Sequence, residues 1–318
     1  MKAVFLDVES LDDLDLAPIR ACVDELTCYR GSAPEQVSER IADCDLVLVN
    51  KVVLDAQALD SADALKLVCV VATGVNNVDL DSARRNNIAV CNAQGYGVRS
   101  VAQHVMGLML ALHTHLLDYD RAVRDGDWGR ATQFCLLDYP ILELAGRKLG
   151  IVGYGALGQA VAELARAFGM EVLVSARPGT AEVPAGRVSF EALVESVDVL
   201  SLHCPLTETT RDLVDADVLA RMRQGSFVIN AARGGVVNEP ALVDALRNGH
   251  LGGAATDVLT VEPPKSGNPL LAPDIPNLIV TPHCAWGSVE ARRRIIDQTA
   301  ENIRAFSNGE SLRRVDQA

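Results

Sequence analysis

With 318 residues the chain is long enough for roughly two domains, and 49% apolar against 22% charged residues is ample for two packed cores. Its 29 basic and 42 acidic residues leave a net charge of −13. The basic residues are not gathered into long runs, none exceeding three, so the electrostatic footprint of a nucleic-acid binder or of a protein held on a membrane surface is missing.

The first residues, MKAVFLDVESLDDLD, turn acidic after a short apolar run and lack the apolar core of a secretory signal. No stretch approaches a membrane span. The eight cysteines, Cys22, Cys28, Cys44, Cys69, Cys91, Cys135, Cys204 and Cys284, show no C-x-x-C pair and no dense framework. Reduced core thiols in a cytoplasmic protein, without a metal site, are the expectation.

Short apolar, β-branched runs alternate with helix-like stretches, the pattern of parallel sheets covered by helices on both faces. AVFLDV from Ala3, DLVLVN from Asp45, LKLVCVVAT from Leu65 and IAVCN from Ile88 read as strands of a first sheet. NAQGYG, Asn92 to Gly97, breaks the pattern. A long, largely buried helix is expected over Ser100 to Leu117, leading into a second unit. There KLGIV, a helix from Ala156 to Phe168, MEVLVS, a short helix near Phe190, DVLSLHC, SFVINAA, GGAATDV and NLIVTPH follow in turn. A last helix, about Val289 to Phe306, returns to the first unit. The fold class is therefore α/β, with two Rossmann-like or flavodoxin-like doubly wound parallel-sheet domains. Residues 1–99 plus 287–318 would form a discontinuous substrate-binding domain and 100–286 a dinucleotide-binding one, with ligands in the cleft between them.

GYGALG, Gly153 to Gly158, directly follows the strand LGIV and opens a helix, the context that gives a G-x-G-x-x-G loop its meaning. Its glycines permit a tight turn, close approach of a pyrophosphate and close helix packing, and the helix N-terminus favours the anion. Downstream come Arg233 in NAARGGVVNEPAL, Glu262 in TDVLTVEPP and His283 in TPHCAW. In isolation Arg233 reads as a structural ion pair and Glu262 as a solvated loop carboxylate. Together, a guanidinium fork suits a substrate carboxylate, and an imidazole with a carboxylate partner suits proton transfer to a carbonyl oxygen. His104, His113, His115 and His203 read as structural.

On the ordered set GYGALG, HCPLTETTR, NAARGGVVNEPAL, DVLTVEPP and TPHCAWGS, the chain resembles the D-isomer-specific 2-hydroxyacid dehydrogenases over essentially its whole length. DWGRATQFCLLDYPILELAGRKLGIVGYGALG points within them to the bacterial glycerate dehydrogenase (hydroxypyruvate reductase) group. The resemblance implies NAD(P)H-dependent reduction of hydroxypyruvate and glyoxylate to D-glycerate and glycolate, with Arg233 orienting the substrate, Glu262 bonded to His283, and His283 as the acid. It implies that amides of Thr73, Gly74, Val75 and Asn76 hold the substrate carboxylate, and it likens Trp286 to a tryptophan that favours hydroxypyruvate. On the cofactor side it implies Gly153, Tyr154, Gly155, Ala156, Leu157, Gly158, Cys204, Pro205, Thr210, Ala231 and Asp257. It also implies a homodimer, formed through the apolar segment from Asp118 to Arg147.

Two positions depart from the pattern. Gln103 stands where V-A-E-H segments carry glutamate. Ala176, in VLVSARPG, stands where an acidic residue would bond the adenosine ribose; with Arg177 after it and Ser175 before it, NADPH is favoured. The rival readings are a dehydrogenase for another 2-keto acid and a dinucleotide-sensing, corepressor-like binding protein sharing the fold. Phosphoglycerate oxidation fits less well, because the chain ends soon after Phe306.

Overall fold

The structure is a computed structural model that describes residues 1–180 and 182–317. The chain divides into two compact units, Met1–Gly97 with Gly287–Ala318, and Val98–Trp286. The first division falls at Gly97 because a helix begins at Val98.

The first unit holds a five-stranded parallel sheet of β1 (Lys2–Phe5), β2 (Glu25–Cys28), β3 (Leu46–Val49), β4 (Leu67–Val70) and β5 (Ala89–Cys91), ordered β2-β1-β3-β4-β5. β3 and β4, LVLV and LVCV, are buried at every residue, as strands covered on both faces must be. β2 was not foreseen from the sequence. It is an edge strand, ELTC, only partly buried, so its polar residues hide the signal.

The second unit holds six parallel strands, β6 (Lys148–Val152), β7 (Glu171–Val174), β8 (Val199–Leu202), β9 (Phe227–Asn230), β10 (Gly253–Thr256) and β11 (Leu278–Val280), ordered β11-β10-β9-β8-β6-β7. Chain order reverses at β6, whose neighbours are β7 and β8. Such a switch point opens a crevice beyond the strand ends, where open α/β sheets take ligands. On one face the Val98–Thr114 helix buries Val101, Val105, Met109 and Leu112 in a core shared with Val161, Ala162 and Ala165 of the Ala156–Ala167 helix. Alanines on that second helix allow the close approach. The other face packs Leu193, Val197, Leu219, Val243 and Leu246 over β8 and β9.

The helix expected to run to Leu117 ends instead at Thr114. His115 adopts a left-handed conformation (φ 48°), its Nδ1 lies 2.8 Å from the Asp118 carboxylate, and a new helix, Leu116–Arg124, begins. Leu116 and Leu117 are consequently exposed, at 59% and 51%.

Candidate active site

Three glycines shape the turn after β6 for three different reasons. A Cβ at Gly153, whose φ is +92°, would lie 2.6–2.7 Å from the backbone of His203 and Cys204 beyond β8. At Gly158 it would lie 2.2 Å from the Gly153 carbonyl oxygen, so only glycine lets the helix sit this close to the turn. At Gly155 it would meet nothing within 4 Å. Gly155 is the N-cap of the Ala156–Ala167 helix and supplies no side-chain cap. Open space therefore faces uncapped helix amides, a cradle of the kind that takes a pyrophosphate.

At the end of β7, Ala176 is buried and its amide donates to the Val188 carbonyl at 2.7 Å. Ser175 is buried, with its hydroxyl donating to the Ala176 carbonyl at 2.6 Å. Arg177 is exposed and pairs with no carboxylate among the described residues. Beyond β8, the Thr210 hydroxyl donates to the Pro205 carbonyl and accepts from the Thr207 amide, both at 2.7 Å, which fixes the loop that starts at Cys204. Burial raises the Cys204 thiol above its ordinary range. Ala231 is buried just past β9.

Arg233 follows β9 and is exposed, with Nη1 on the Ala232 carbonyl at 2.7 Å and no carboxylate partner among the described residues. Asn230 fixes this turn, donating to the Arg233 carbonyl at 2.9 Å and accepting from the Ala232 amide at 3.1 Å. A Cβ on Gly234 would lie 1.9 Å from the Leu259 carbonyl oxygen, so the Arg233 turn rests directly on the chain leading to Glu262. Glu239 braces that loop, accepting from the Thr260 amide at 2.7 Å and from Asn268 at 2.8 Å.

Glu262 accepts from the Leu259 amide through Oε1 at 2.7 Å, and its Oε2 lies 2.6 Å from Nδ1 of His283. Nε2 of His283 is thereby left as the ring atom able to exchange a proton with a ligand. His283 itself has φ +52°, a conformation costing a non-glycine residue roughly 1–2 kcal/mol and often found where function requires it. Trp286 secures that backbone by donating Nε1–H to the His283 carbonyl at 2.9 Å.

Beneath this loop Asp257 is 2% exposed. It accepts from the Thr281 hydroxyl at 2.6 Å and from the Cys284 and Ala285 amides at 2.9 Å. Burial and the Asp257 charge raise the Cys284 thiol. His104 Nε2 lies 3.1 Å from the Thr281 hydroxyl, which is already donating to Asp257 and so accepts from the ring. Atoms of His104, Asp257 and Cys284 come within 4.8 Å of one another, and this hydrogen-bonded clamp accounts for the cluster. The clamp is not visible in the sequence, because no spacing rule links positions 104, 257 and 281.

In the other unit Thr73 to Asn76 follow β4 at the carboxyl edge of its sheet. The Thr73 hydroxyl donates to the Ala93 carbonyl at 3.0 Å, and the Asn92 amide group donates to the Thr73 carbonyl at 2.8 Å. The amides of Gly74, Val75 and Asn76 meet no acceptor among the described residues. Successive amides left this way suit an anion.

Residues 106–285 match the family described as "D-isomer specific 2-hydroxyacid dehydrogenase, NAD binding domain". A glycerate dehydrogenase of Methylorubrum extorquens is 43% identical over 97% of this chain and 96% of its own length. A hydroxypyruvate reductase of Blautia hydrogenotrophica is 36% identical over 97% and 98%. Among solved structures, an NADPH-dependent glyoxylate/hydroxypyruvate reductase from Sinorhizobium meliloti superposes with a TM-score of 0.83 at 28% identity, covering 99% of this chain and 98% of that one.

Proposed function

The chain belongs to the D-isomer-specific 2-hydroxyacid dehydrogenase family and is an oxidoreductase with a nicotinamide-dinucleotide domain, and from that premise we propose that it reduces hydroxypyruvate, and also glyoxylate, to D-glycerate and glycolate. The observation that carries the reading is the Glu262–His283 pair at 2.6 Å, on a loop braced by buried Asp257 and next in space to the Arg233 turn. The Methylorubrum and Blautia enzymes, named for glycerate and hydroxypyruvate, support the substrate.

When bound, the reduced nicotinamide supplies hydride to the carbonyl carbon. Arg233 holds the substrate carboxylate through its in-plane N–H fork. His283 gives the Nε2 proton to the carbonyl oxygen as it gains charge, while Glu262 holds Nδ1–H and fixes the ring orientation. In oxidation the neutral ring takes the hydroxyl proton back. On this reading Met1–Gly97 with Gly287–Ala318 is the substrate-binding unit.

NADPH is used at least as well as NADH. Buried Ala176 offers no carboxylate to bond the ribose hydroxyls or repel a 2′-phosphate, and exposed Arg177 beside it pairs with no carboxylate among the described residues. The protein works as a homodimer through the segment from Asp118 to Arg147, where large apolar side chains are exposed. Free cysteines without a disulfide among the described residues support a cytoplasmic setting for this chemistry. No helix among the described residues is long and apolar enough to cross a membrane.

The deciding experiment is kcat/KM for a panel of 2-keto acids with each reduced cofactor. Hydroxypyruvate is expected to lead the panel, with NADPH equal to or better than NADH. A bulkier keto acid in first place would transfer the assignment within the family, and dinucleotide binding without turnover of any keto acid would replace it by a sensor.

A further inference from the structure

We propose that Arg187 is a second specificity-determining residue for the cofactor, forming with Arg177 a two-guanidinium cradle for the 2′-phosphate of a phosphorylated dinucleotide. This rests on the NADPH reading above and assigns a residue that sits away from both β7 and the glycine loop in sequence.

The placement comes from a short extension of the sheet. Ser175 and Val188 form an isolated parallel bridge past the end of β7, with the Ala176 amide on the Val188 carbonyl at 2.7 Å and the Val188 amide on the Val174 carbonyl at 3.0 Å. Arg187, just before the bridged Val188, is thereby set beside the end of β7. Its Nη1 donates to the Ser175 carbonyl at 3.2 Å, and its guanidinium carbon lies 4.9 Å from the ring centroid of Tyr154. Tyr154 sits between the first two glycines of the phosphate loop. Arg187 thus touches both elements that flank a bound adenosine ribose in this fold, the loop after the first strand and the end of the second.

The electrostatics agree. A guanidinium carries five N–H donors. Contact with an aromatic face uses none of them, and the Ser175 carbonyl takes one. Neither Arg187 nor Arg177 pairs with a carboxylate among the described residues, and buried Ala176 carries no side-chain acceptor. Two uncompensated guanidinium groups beside an alanine are suited to a dianion, and bidentate arginine–phosphate contacts are among the stronger charge-assisted hydrogen bonds. A purely structural Arg187 would only pin the 177–187 segment onto Tyr154.

Calorimetric titration with 2′,5′-ADP and with 5′-AMP separates these roles without any turnover. In Arg187→Ala the affinity for 2′,5′-ADP is expected to fall by about tenfold or more, while 5′-AMP binding changes by less than about twofold. Arg187→Lys should recover part of the loss, since it restores charge without the fork. Equal weakening of both ligands would make Arg187 a structural pin and overturn the proposal. An intact preference for 2′,5′-ADP in Arg187→Ala would overturn it while sparing the NADPH reading. A parent protein that binds the two ligands alike would remove both.

Discussion

His283 joins a strained backbone to a side chain fixed by Glu262, and the two properties separate by substitution. His283→Ala is expected to lower kcat for reduction by at least about 10²-fold, the usual cost of losing a positioned acid. His283→Gly should be equally inactive yet more stable than His283→Ala by about 1 kcal/mol, because glycine adopts φ +52° without the Cβ penalty. Turnover near the parent level in either variant would remove His283 from the chemistry. Glu262→Gln would replace the carboxylate facing Nδ1 with a neutral amide and take away the ring's charged partner. Its kcat should fall by about 10²-fold or more with a smaller change in KM; equal kcat would break the pairing. A second consequence at this scale is pH-dependent stability. Burial pushes His113, stacked 4.1 Å from Phe227 and bonded to the Met109 carbonyl at 2.9 Å, from 6.5 down to about 4, and His203 likewise to about 4. In the window between those values the unfolded chain binds protons that the folded chain refuses. Stability is therefore complete above about pH 6.5 and declines as pH falls toward 4, His113 alone contributing a loss of about 2 kcal/mol by pH 5. Urea unfolding at pH 7 and pH 5 should show a smaller drop in His113→Phe than in the parent, and identical drops would exclude His113 as a source.

At the scale of elements, the loop after β11 is held by a carboxylate outside it. Asp257 at the end of β10 receives the Cys284 and Ala285 amides, and each donor left buried and unpaired costs about 1–3 kcal/mol. Asp257→Ala should accordingly lose a few kcal/mol in chemical denaturation and lose turnover with it. A stability change below about 1 kcal/mol would mean that water or rearrangement replaces the clamp. Most elements were legible because fully buried parallel strands such as LVLV and FVIN read as uninterrupted apolar runs. The strand ELTC escaped because an edge position tolerates polar residues. The break at His115 escaped because the apolar residues Leu116 and Leu117 carry the helical pattern past the point where the backbone turns.

For the whole molecule, the segment from Asp118 to Arg147 sets the expectation of a dimer. Trp128, Phe134, Leu137, Tyr139 and Ile141 are exposed at 52%, 89%, 75%, 37% and 55%, more apolar surface than one connection in a monomer normally leaves in water. Light scattering at micromolar concentration should report twice the 34.0 kDa chain mass. A monomer would refute the dimer, and Phe134→Asp with Leu137→Asp should shift a dimer toward monomer. The sequence by itself determined the α/β class, the glycine loop and the order of Arg233, Glu262 and His283, because strand burial, turn stereochemistry and motif order are local properties written in consecutive residues. Only the tertiary structure decided the 2.6 Å geometry of the Glu262–His283 pair that the resemblance implied, that Asp257 clamps the loop beneath it, and that Arg187 lies on Tyr154 beside Ser175. Those contacts join strand ends far apart in the chain, and parallel-sheet pairing, which no short window of sequence encodes, is what brings such ends to one edge.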